Sequence, residues 1–179
     1  MQTFTCDKKC CCINVDMSVS QQPTGLIRRN YKKGGVFVFD PKEGRVLLVQ
    51  SRGQLWGCPK GTLELDETDT ECAVREVKEE TGLDIDPCNF SKAIRIRNRA
   101  VYFYLEMDMK PVEIQRDVVN NDITGLTWIK LDCLKECISA GHMVLNQHAK
   151  IVFSRFMDIT FEKSGFVRVE RRRRRRKKI

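Results

Sequence analysis

The sequence predicts an α/β domain in which a mixed sheet lies between helical layers. Three observations point there. Two runs, Val-Phe-Val-Phe at 36–39 and Arg-Val-Leu-Leu-Val at 45–49, are too continuously apolar for a sheet wetted on one face. Strand-like and helix-like segments are mixed along the chain, with no internal repeat at solenoid periods. A hydrophobic fraction of 41% beside 31% charged residues, over 179 residues, suits one globular domain with its own core.

Taken in order, residues 1–27 show no clear period and read as a flexible N-terminal segment. Cys6, Cys10, Cys11 and Cys12 cluster there. His142 and His148 are far away and no second Cys/His pair has zinc-like spacing, so a mobile, reduced tail is expected rather than a metal site. The domain itself is expected over 28–165. Its first two strands flank Asp-Pro-Lys-Glu-Gly at 40–44, a turn signal that makes them a hairpin. Residues 53–61 form a loop by their Gly and Pro content. A helix is expected over 69–81, where Ala73 and Val77 stand i,i+4 with Val74 beside them and Gly82 stops the pattern. Ile-Arg-Ile-Arg at 94–97 alternates cleanly, and 101–105 and 126–129 are further strands. A short helix at 131–137 follows. A last amphipathic helix is expected over 143–159, with Ile151, Val152, Phe156 and Ile159 as its apolar face.

Charge is distributed unevenly. The chain has 32 Lys and Arg against 24 Asp and Glu, a net charge of +8. Residues 171–178 are eight consecutive Arg and Lys, so without them the two signs balance at 24 each. The excess therefore belongs to a basic tail, 166–179, which like-charge repulsion should keep disordered. No apolar run approaches the ~18 residues of a membrane span, and the first residues lack the apolar stretch of a secretory signal. A reducing compartment is therefore expected, the cytoplasm first, with the tail able to act as a nuclear-import signal. Nine cysteines, an odd number spread along the chain, make a poor disulfide framework there.

One segment carries chemistry. On a helix over 69–81, Glu76, Glu79 and Glu80 fall within an arc of roughly 100°, beside the Ala73/Val77 stripe. Packing that stripe brings three carboxylates to the edge of the core, where they repel one another. A cation is expected among them, and oxygen-only ligation suits Mg²⁺ or Mn²⁺. Arg75 can offset part of the repulsion, with Glu67 as its partner.

The spacing identifies the segment. From Gly61 to Leu83 it matches the Nudix box, Gly-x5-Glu-x7-Arg-Glu-U-x-Glu-Glu-x-Gly-U with U apolar, at every specified position. Seven fixed identities give a chance match of about 10⁻⁹ per window. The chain thus resembles the Nudix hydrolases. That resemblance implies an α/β/α sandwich with a mixed sheet and a loop–helix–loop metal site, which hydrolyses a nucleoside diphosphate linked to another moiety. It also implies roles. Glu76 and Glu80 match the principal metal ligands, Glu79 a further ligand or base, and the carbonyl near Lys60 and Gly61 often joins the sphere. Glu67 and Arg75 match the pair that orients the helix, and Gly61 and Gly82 the turn positions. The general base is Glu79 or Glu80. Asn-Asn-Asp-Ile-Thr-Gly-Leu-Thr-Trp at 120–128 resembles a stretch in which an acidic residue precedes the Trp strand. Asp122 stands where those relatives carry Glu, so it is either a further catalytic carboxylate or an ordinary turn aspartate.

For the substrate, Trp-Gly-Cys-Pro-Lys-Gly at 56–61 is similar to the Trp-x-Phe-Pro-Lys-Gly stretch of mRNA-decapping Nudix enzymes, cellular and large DNA-virus. Cys58 replaces the aromatic. Lys60 contradicts the Pro-Gly-Gly-Gly of diphosphoinositol polyphosphate phosphohydrolases, although Asn-Gln-His-Ala-Lys at 146–150 looks as much like that family. Twenty-seven leading residues are too few for the helical regulatory domain of the cellular decapping enzyme. The favoured reading is decapping of capped RNA with release of 7-methylguanosine diphosphate; diphosphoinositol or dinucleoside polyphosphates are the alternative substrates. A non-catalytic RNA-binding module is a third reading, against which the three crowded carboxylates argue. Candidate substrate contacts are Lys60, Trp56, the alternating Arg95, Arg97 and Arg99, and the group Arg28, Arg29, Lys32 and Lys33. Lys150 and Arg155 add charge on the last helix. Trp56, Tyr31, Tyr102 and Phe103 are candidates for base stacking, and the tail for holding nucleic acid.

Overall fold

Alternation along one buried strand sets up the layering. In the computed structural model, which describes residues 1–18, 32–51, 53–119, 121–162 and 165–168, every residue from Gly34 to Val38 is buried. Val36 and Val38 join one core cluster while Phe37 joins the other, because successive side chains on a strand point to opposite faces.

In chain order the elements are β1 (Gln2–Thr5), β2 (Cys12–Val15), β3 (Lys33–Asp40), β4 (Arg45–Ser51), β5 (Leu55–Gly57), β6 (Lys60–Thr62) and α1 (Asp69–Thr81). After a 3₁₀ turn at Pro87–Asn89 come β7 (Phe90–Ile96), β8 (Ala100–Glu106), β9 (Ile123–Lys130), α2 (Leu131–Ser139), β10 (Val144–Leu145), α3 (Gln147–Met157), β11 (Ile159–Glu162) and β12 (Gly165–Arg168). The main sheet runs β1-β2-β9-β4-β3-β8-β7; β6 pairs with β3, and β5 with β4 and β10. The β3–β8 pair is parallel, in register from Lys33↔Ala100 to Phe39↔Glu106. On one face Val36, Val38, Leu47 and Val49 pack with Ala73 and Val77 of α1. On the other, Phe37, Val46 and Leu48 pack with Leu134 of α2 and Val152 and Phe153 of α3. Each such side chain contributes about 1.5–3 kcal/mol of burial. The sheet is therefore mixed and covered on both faces, as the two apolar runs require.

Several expected elements form as read. The hairpin of β3 and β4 turns on Asp40, whose Oδ1 accepts the backbone N–H of Lys42 at 2.9 Å and of Glu43 at 3.2 Å. Helix α1 begins in a capping box. The Thr68 side chain accepts from the Glu71 N–H at 3.2 Å, and the Glu71 carboxylate accepts from the Thr68 N–H at 2.8 Å. Gly82 (φ +76°) closes the helix in the left-handed conformation, its N–H donating to the Lys78 carbonyl at 2.9 Å.

Other expectations differ. The loop expected over 53–61 carries β5 and the start of β6, because Leu55–Gly57 pairs with β4 and Lys60–Thr62 with β3, pairings that Gly and Pro content does not reveal. The segment read as a mobile tail contains β1 and β2, and β2 extends the sheet by pairing with β9 at Ile13↔Thr127 and Val15↔Gly125. Ile13 and Val15 are buried. Four-residue strands are too short to show a period of their own, and only the free edge of β9 selects them. The helix expected over 143–159 is shorter at both ends. Asn146 caps it by accepting the Ala149 N–H at 2.9 Å, while Val144 and Leu145 pair in parallel with Leu55 and Trp56. At the other end Asp158 takes φ 54° and stops the helix, so Ile159 belongs to β11.

Candidate active site

The site begins where β6 brings its loop against α1. Antiparallel pairing of β6 with β3 sets Gly61 opposite Gly34 and Lys60 opposite Gly35. Gly34 lets the helix approach, since a Cβ there would lie 2.8 Å from the Asp69 carbonyl oxygen. Gly61 plays the same part for a side chain. A Cβ on it would lie 1.9 Å from the Glu76 carboxylate, so that carboxylate rests directly over the glycine backbone.

Arg75 then binds helix and loop together. Its Nε and Nη2 donate to the two oxygens of Glu67 at 2.7 and 2.9 Å, a bidentate fork. Nη1 donates to Glu76 at 2.9 Å and Glu79 at 3.0 Å, and Nη2 also reaches the Thr62 carbonyl at 3.0 Å. The hydrogen bond from Arg75 holds the Glu67 carboxyl below the ordinary carboxylate range, against the opposing effect of burial.

Glu80 differs from its neighbours. It is buried, and one oxygen accepts the backbone N–H of Lys60 at 2.9 Å. Burial pushes its carboxyl up to about 8; Glu76 and Asp122 add to the rise, and Lys60 opposes it. Burial raises Glu76 as well, with Arg75 pulling the other way. Lys33 is lowered by burial and by Lys60, while Glu76, Asp122 and Glu80 hold its charge. The site therefore crowds carboxyls where burial makes their ionisation costly, so a cation that favours the charged forms gains by binding there.

Lys33, Lys60, Gly61, Arg75, Glu76, Glu79, Glu80 and Asp122 all line one cleft of about 700 Å³. Glu67 stands behind it on the Arg75 fork. Asn121 was not singled out by sequence, yet it positions the far wall. Its Nδ2 donates to the Glu79 and Gln115 carbonyls at 2.9 and 2.8 Å, and its Oδ1 accepts the Ile123 N–H at 3.1 Å. An Asn two residues before a strand is a turn former, which was the available signal.

A smaller cleft adjoins the first. Lys32, Lys33, Arg95 and Arg97 line it, so Lys33 belongs to both. Here the sequence reading needs correction. Strand β7 ends at Ile96 and Arg97 turns left-handed at φ 51°, so Arg95, Arg97 and Arg99 do not share one strand face. Arg95 pairs with Asp69 at 3.2 Å, and the Arg99 carbonyl accepts the Lys33 N–H at 2.9 Å. Trp56 is corrected too. It is 2% exposed in the core under α3, so its ring cannot stack on a base. Tyr102 is likewise buried, its hydroxyl 3.2 Å from His148 Nδ1, and Phe103 stacks on Phe90. Lys150 and Arg155 line a separate cleft beside β11. Arg28, Arg29, Tyr31 and residues 169–179 of the tail lie outside the described residues, whereas 166–168, expected as the start of a disordered tail, belong to β12 paired with β11.

A sheet covered by helices on both faces, with a loop–helix segment whose arginine gathers the helix carboxylates, defines a Nudix-type pyrophosphohydrolase. A family model described as the NUDIX domain matches residues 33–148, and the chain belongs to that family. It is 32% identical over 140 residues to hydrolase 111R of Invertebrate iridescent virus 3, covering 74% of this chain and 80% of that protein. It is 31% identical over 110 residues to mRNA-decapping enzyme subunit 2 of Arabidopsis thaliana, over 56% of this chain but 28% of the plant protein. With the m7GpppN-mRNA hydrolase of Saccharomyces cerevisiae the figures are 32% over 107 residues, 55% of this chain and 11% of the yeast protein. Among solved structures, the NUDIX domain of Shewanella oneidensis NrtR shares the fold at TM-score 0.52 and 16% identity, covering 75% of this chain and 90% of that one.

Membership implies a divalent cation, and the residues fit a hard one. The donors are carboxylate and carbonyl oxygens, and the Gly61 floor leaves the Glu76 carboxylate no bulk beneath it. The thiols nearby do not compete. Burial pushes Cys58 and Cys72 up to about 12, so both stay protonated. Among the described residues no helix is long and apolar enough to cross a membrane.

Proposed function

We propose that this chain removes the 5′ cap of mRNA, cleaving a phosphoanhydride bond of capped RNA to release 7-methylguanosine diphosphate. The observation that carries this reading is the pair of clefts joined at Lys33. One is lined by carboxylates that suit hydrolysis of a polyphosphate. The other is lined by Lys32, Arg95 and Arg97, which suit the phosphates of a chain leading away from it. Similarity to two decapping enzymes supports the same substrate, as does the Trp-Gly-Cys-Pro-Lys-Gly stretch at 56–61.

In this reading Glu76, Glu79, Glu80 and the Gly61 carbonyl hold Mg²⁺ or Mn²⁺. When bound, the metal neutralises the diphosphate and lowers the pKa of the attacking water. The remaining work falls to the chain. Lys60 and Lys33 hold the phosphate oxygens and steady the charge on the leaving diphosphate. Glu79 or Glu80 takes the proton from the attacking water, with Asp122 opposite as a further carboxylate. Arg75 and Glu67 keep the loop and helix in register so that these groups converge.

The tail enters as an electrostatic arm for RNA. Affinity should then fall steeply with salt, by about 0.7 in log–log slope for each phosphate neutralised on a single strand. Cap-labelled long RNA, a capped dinucleotide and a diphosphoinositol polyphosphate, compared in one assay, test both ideas. Release of 7-methylguanosine diphosphate from the long RNA is expected. Removal of residues 171–179 should weaken long-RNA turnover and spare the capped dinucleotide. Rapid inositol turnover without cap release would overturn the decapping reading, and a salt dependence unchanged by the deletion would reduce the tail to an address signal.

A further inference from the structure

The cysteines of the N-terminal hairpin do not stand alone. Cys6 follows β1, and Cys10 and Cys11 precede β2. The turn between them is held by the Lys9 N–H donating to the Cys6 carbonyl at 2.8 Å and the Cys6 N–H to the Cys11 carbonyl at 3.1 Å. Lys9 takes φ 53° to make that turn. Cys133 arrives from the first turn of α2, 123 residues beyond Cys10. The four sulfurs all lie within 4.8 Å of one another. Cys10 Sγ is 3.7 Å from Cys6, 3.7 Å from Cys11 and 3.4 Å from Cys133.

Those distances favour one chemistry. A disulfide needs about 2.05 Å between two sulfurs. Four sulfurs bound tetrahedrally at ~2.3 Å stand ~3.8 Å apart, near what is found here. We propose that Cys6, Cys10, Cys11 and Cys133 form a structural Zn²⁺ site, independent of the hydrolytic centre, that staples the N-terminal hairpin to α2.

The surroundings suit a thiolate cluster. The Lys130 backbone N–H donates to Cys11 Sγ at 3.3 Å and Arg45 Nη1 to the same sulfur at 3.4 Å, the kind of outer contact that orients and charges a ligand. Four thiolates around Zn²⁺ leave two negative charges, which Arg45 and the N-terminus of α2 offset. Arg45 also holds the Cys10 carbonyl at 2.8 Å, and Lys8 pairs with Glu136 of α2 at 2.7 Å, so turn and helix are held together from both sides. Cys12, the fourth cysteine of the sequence cluster, is exposed on β2 and is not among the four. The ligands are soft, which selects Zn²⁺ over the Mg²⁺ or Mn²⁺ suited to the carboxylates; Cys6, Cys11 and Cys133 are buried, and Cys10 lies at the surface. Thiols must lose their protons to bind Zn²⁺, so metal binding releases protons and weakens in acid.

Anaerobic titration of the reduced full chain with Co²⁺, with excess Mg²⁺ on the carboxylates, reads the ligand set directly. One equivalent should bind with intense sulfur-to-cobalt charge transfer and the absorption of a tetrahedral four-thiolate ion, and Zn²⁺ should displace it. Cys133→Ser should lower that affinity by tenfold or more, while Cys12→Ser leaves it unchanged. Should Cys133→Ser fail to fold, the titration of the unaltered chain still decides. Absence of the charge-transfer band, equal losses in the two variants, or a Cys10–Cys133 disulfide in peptides from the unreduced protein would overturn the site.

Discussion

The carboxylates of α1 and the thiols around Cys133 lie on opposite faces of one sheet and are assembled in different ways. Glu76, Glu79 and Glu80 come from a single helix; Glu76 and Glu79 already share an internal cation at Arg75, while Glu80 accepts the Lys60 N–H. The thiols come from two distant segments, and three of the four, Cys6, Cys11 and Cys133, are buried with apolar side chains. A site of hard, charged donors must therefore be prepaired to survive without its ion, whereas a soft site can wait as ordinary apolar packing. The first arrangement leaves a cleft open to substrate. The second is mostly buried and suits a staple.

The largest test of this contrast removes charge without removing shape. Glu80→Gln keeps an oxygen for the Lys60 N–H but loses the carboxylate, so metal-dependent hydrolysis should fall by ~10³-fold with the fold retained. Circular dichroism and initial rates check it together, and full turnover in a well-folded variant would remove Glu80 from the machinery. Next in size is Arg75→Met, which strands three carboxylates half-buried. Stability in urea should drop by about 3 kcal/mol, discounted from the fully buried case for partial exposure, and saturating Mg²⁺ should restore part of the loss. No rescue by Mg²⁺ would mean that the cation and the guanidinium do not share the same carboxylates.

Smaller still is Glu67→Gln, with an effect that depends on pH. Glu67 is depressed in the folded chain by its Arg75 hydrogen bond. Its contribution is therefore present above the unfolded carboxyl value of about 4.3 and is lost as pH falls through the lower folded value. Glu67→Gln should cost about 2 kcal/mol at neutral pH, and the gap from the unaltered chain should close below about pH 4. Urea melts at a series of pH values measure this, and a gap constant down to pH 2 would show that the fork contributes through shape alone.

Legibility followed the same division. Helix α1, its stop at Gly82 and the Glu67–Arg75 pair could be read because each depends on residues within about two dozen positions. The β3–β4 hairpin could be read because its turn residues lie between its strands. Trp56 misled because a motif tryptophan looks the same whether it faces a substrate or the core, and only α3 closing over it decides. Arg97 misled because alternation was carried one residue past Ile96, where φ changes sign. The short strand β2 was missed because its partner edge, β9, lies more than a hundred residues away.

Fold class, hydrolase family and the three helix carboxylates thus followed from local order along the chain, since 3.6-residue periodicity and fixed motif spacing act within a single turn or two. Pairing of β2 with β9, the junction of two clefts at Lys33 and the meeting of Cys133 with the hairpin cysteines did not. Each depends on which distant strand edge or helix face the collapsed chain buries, and such choices are made by summed packing over the whole core rather than by any residue's neighbours in sequence.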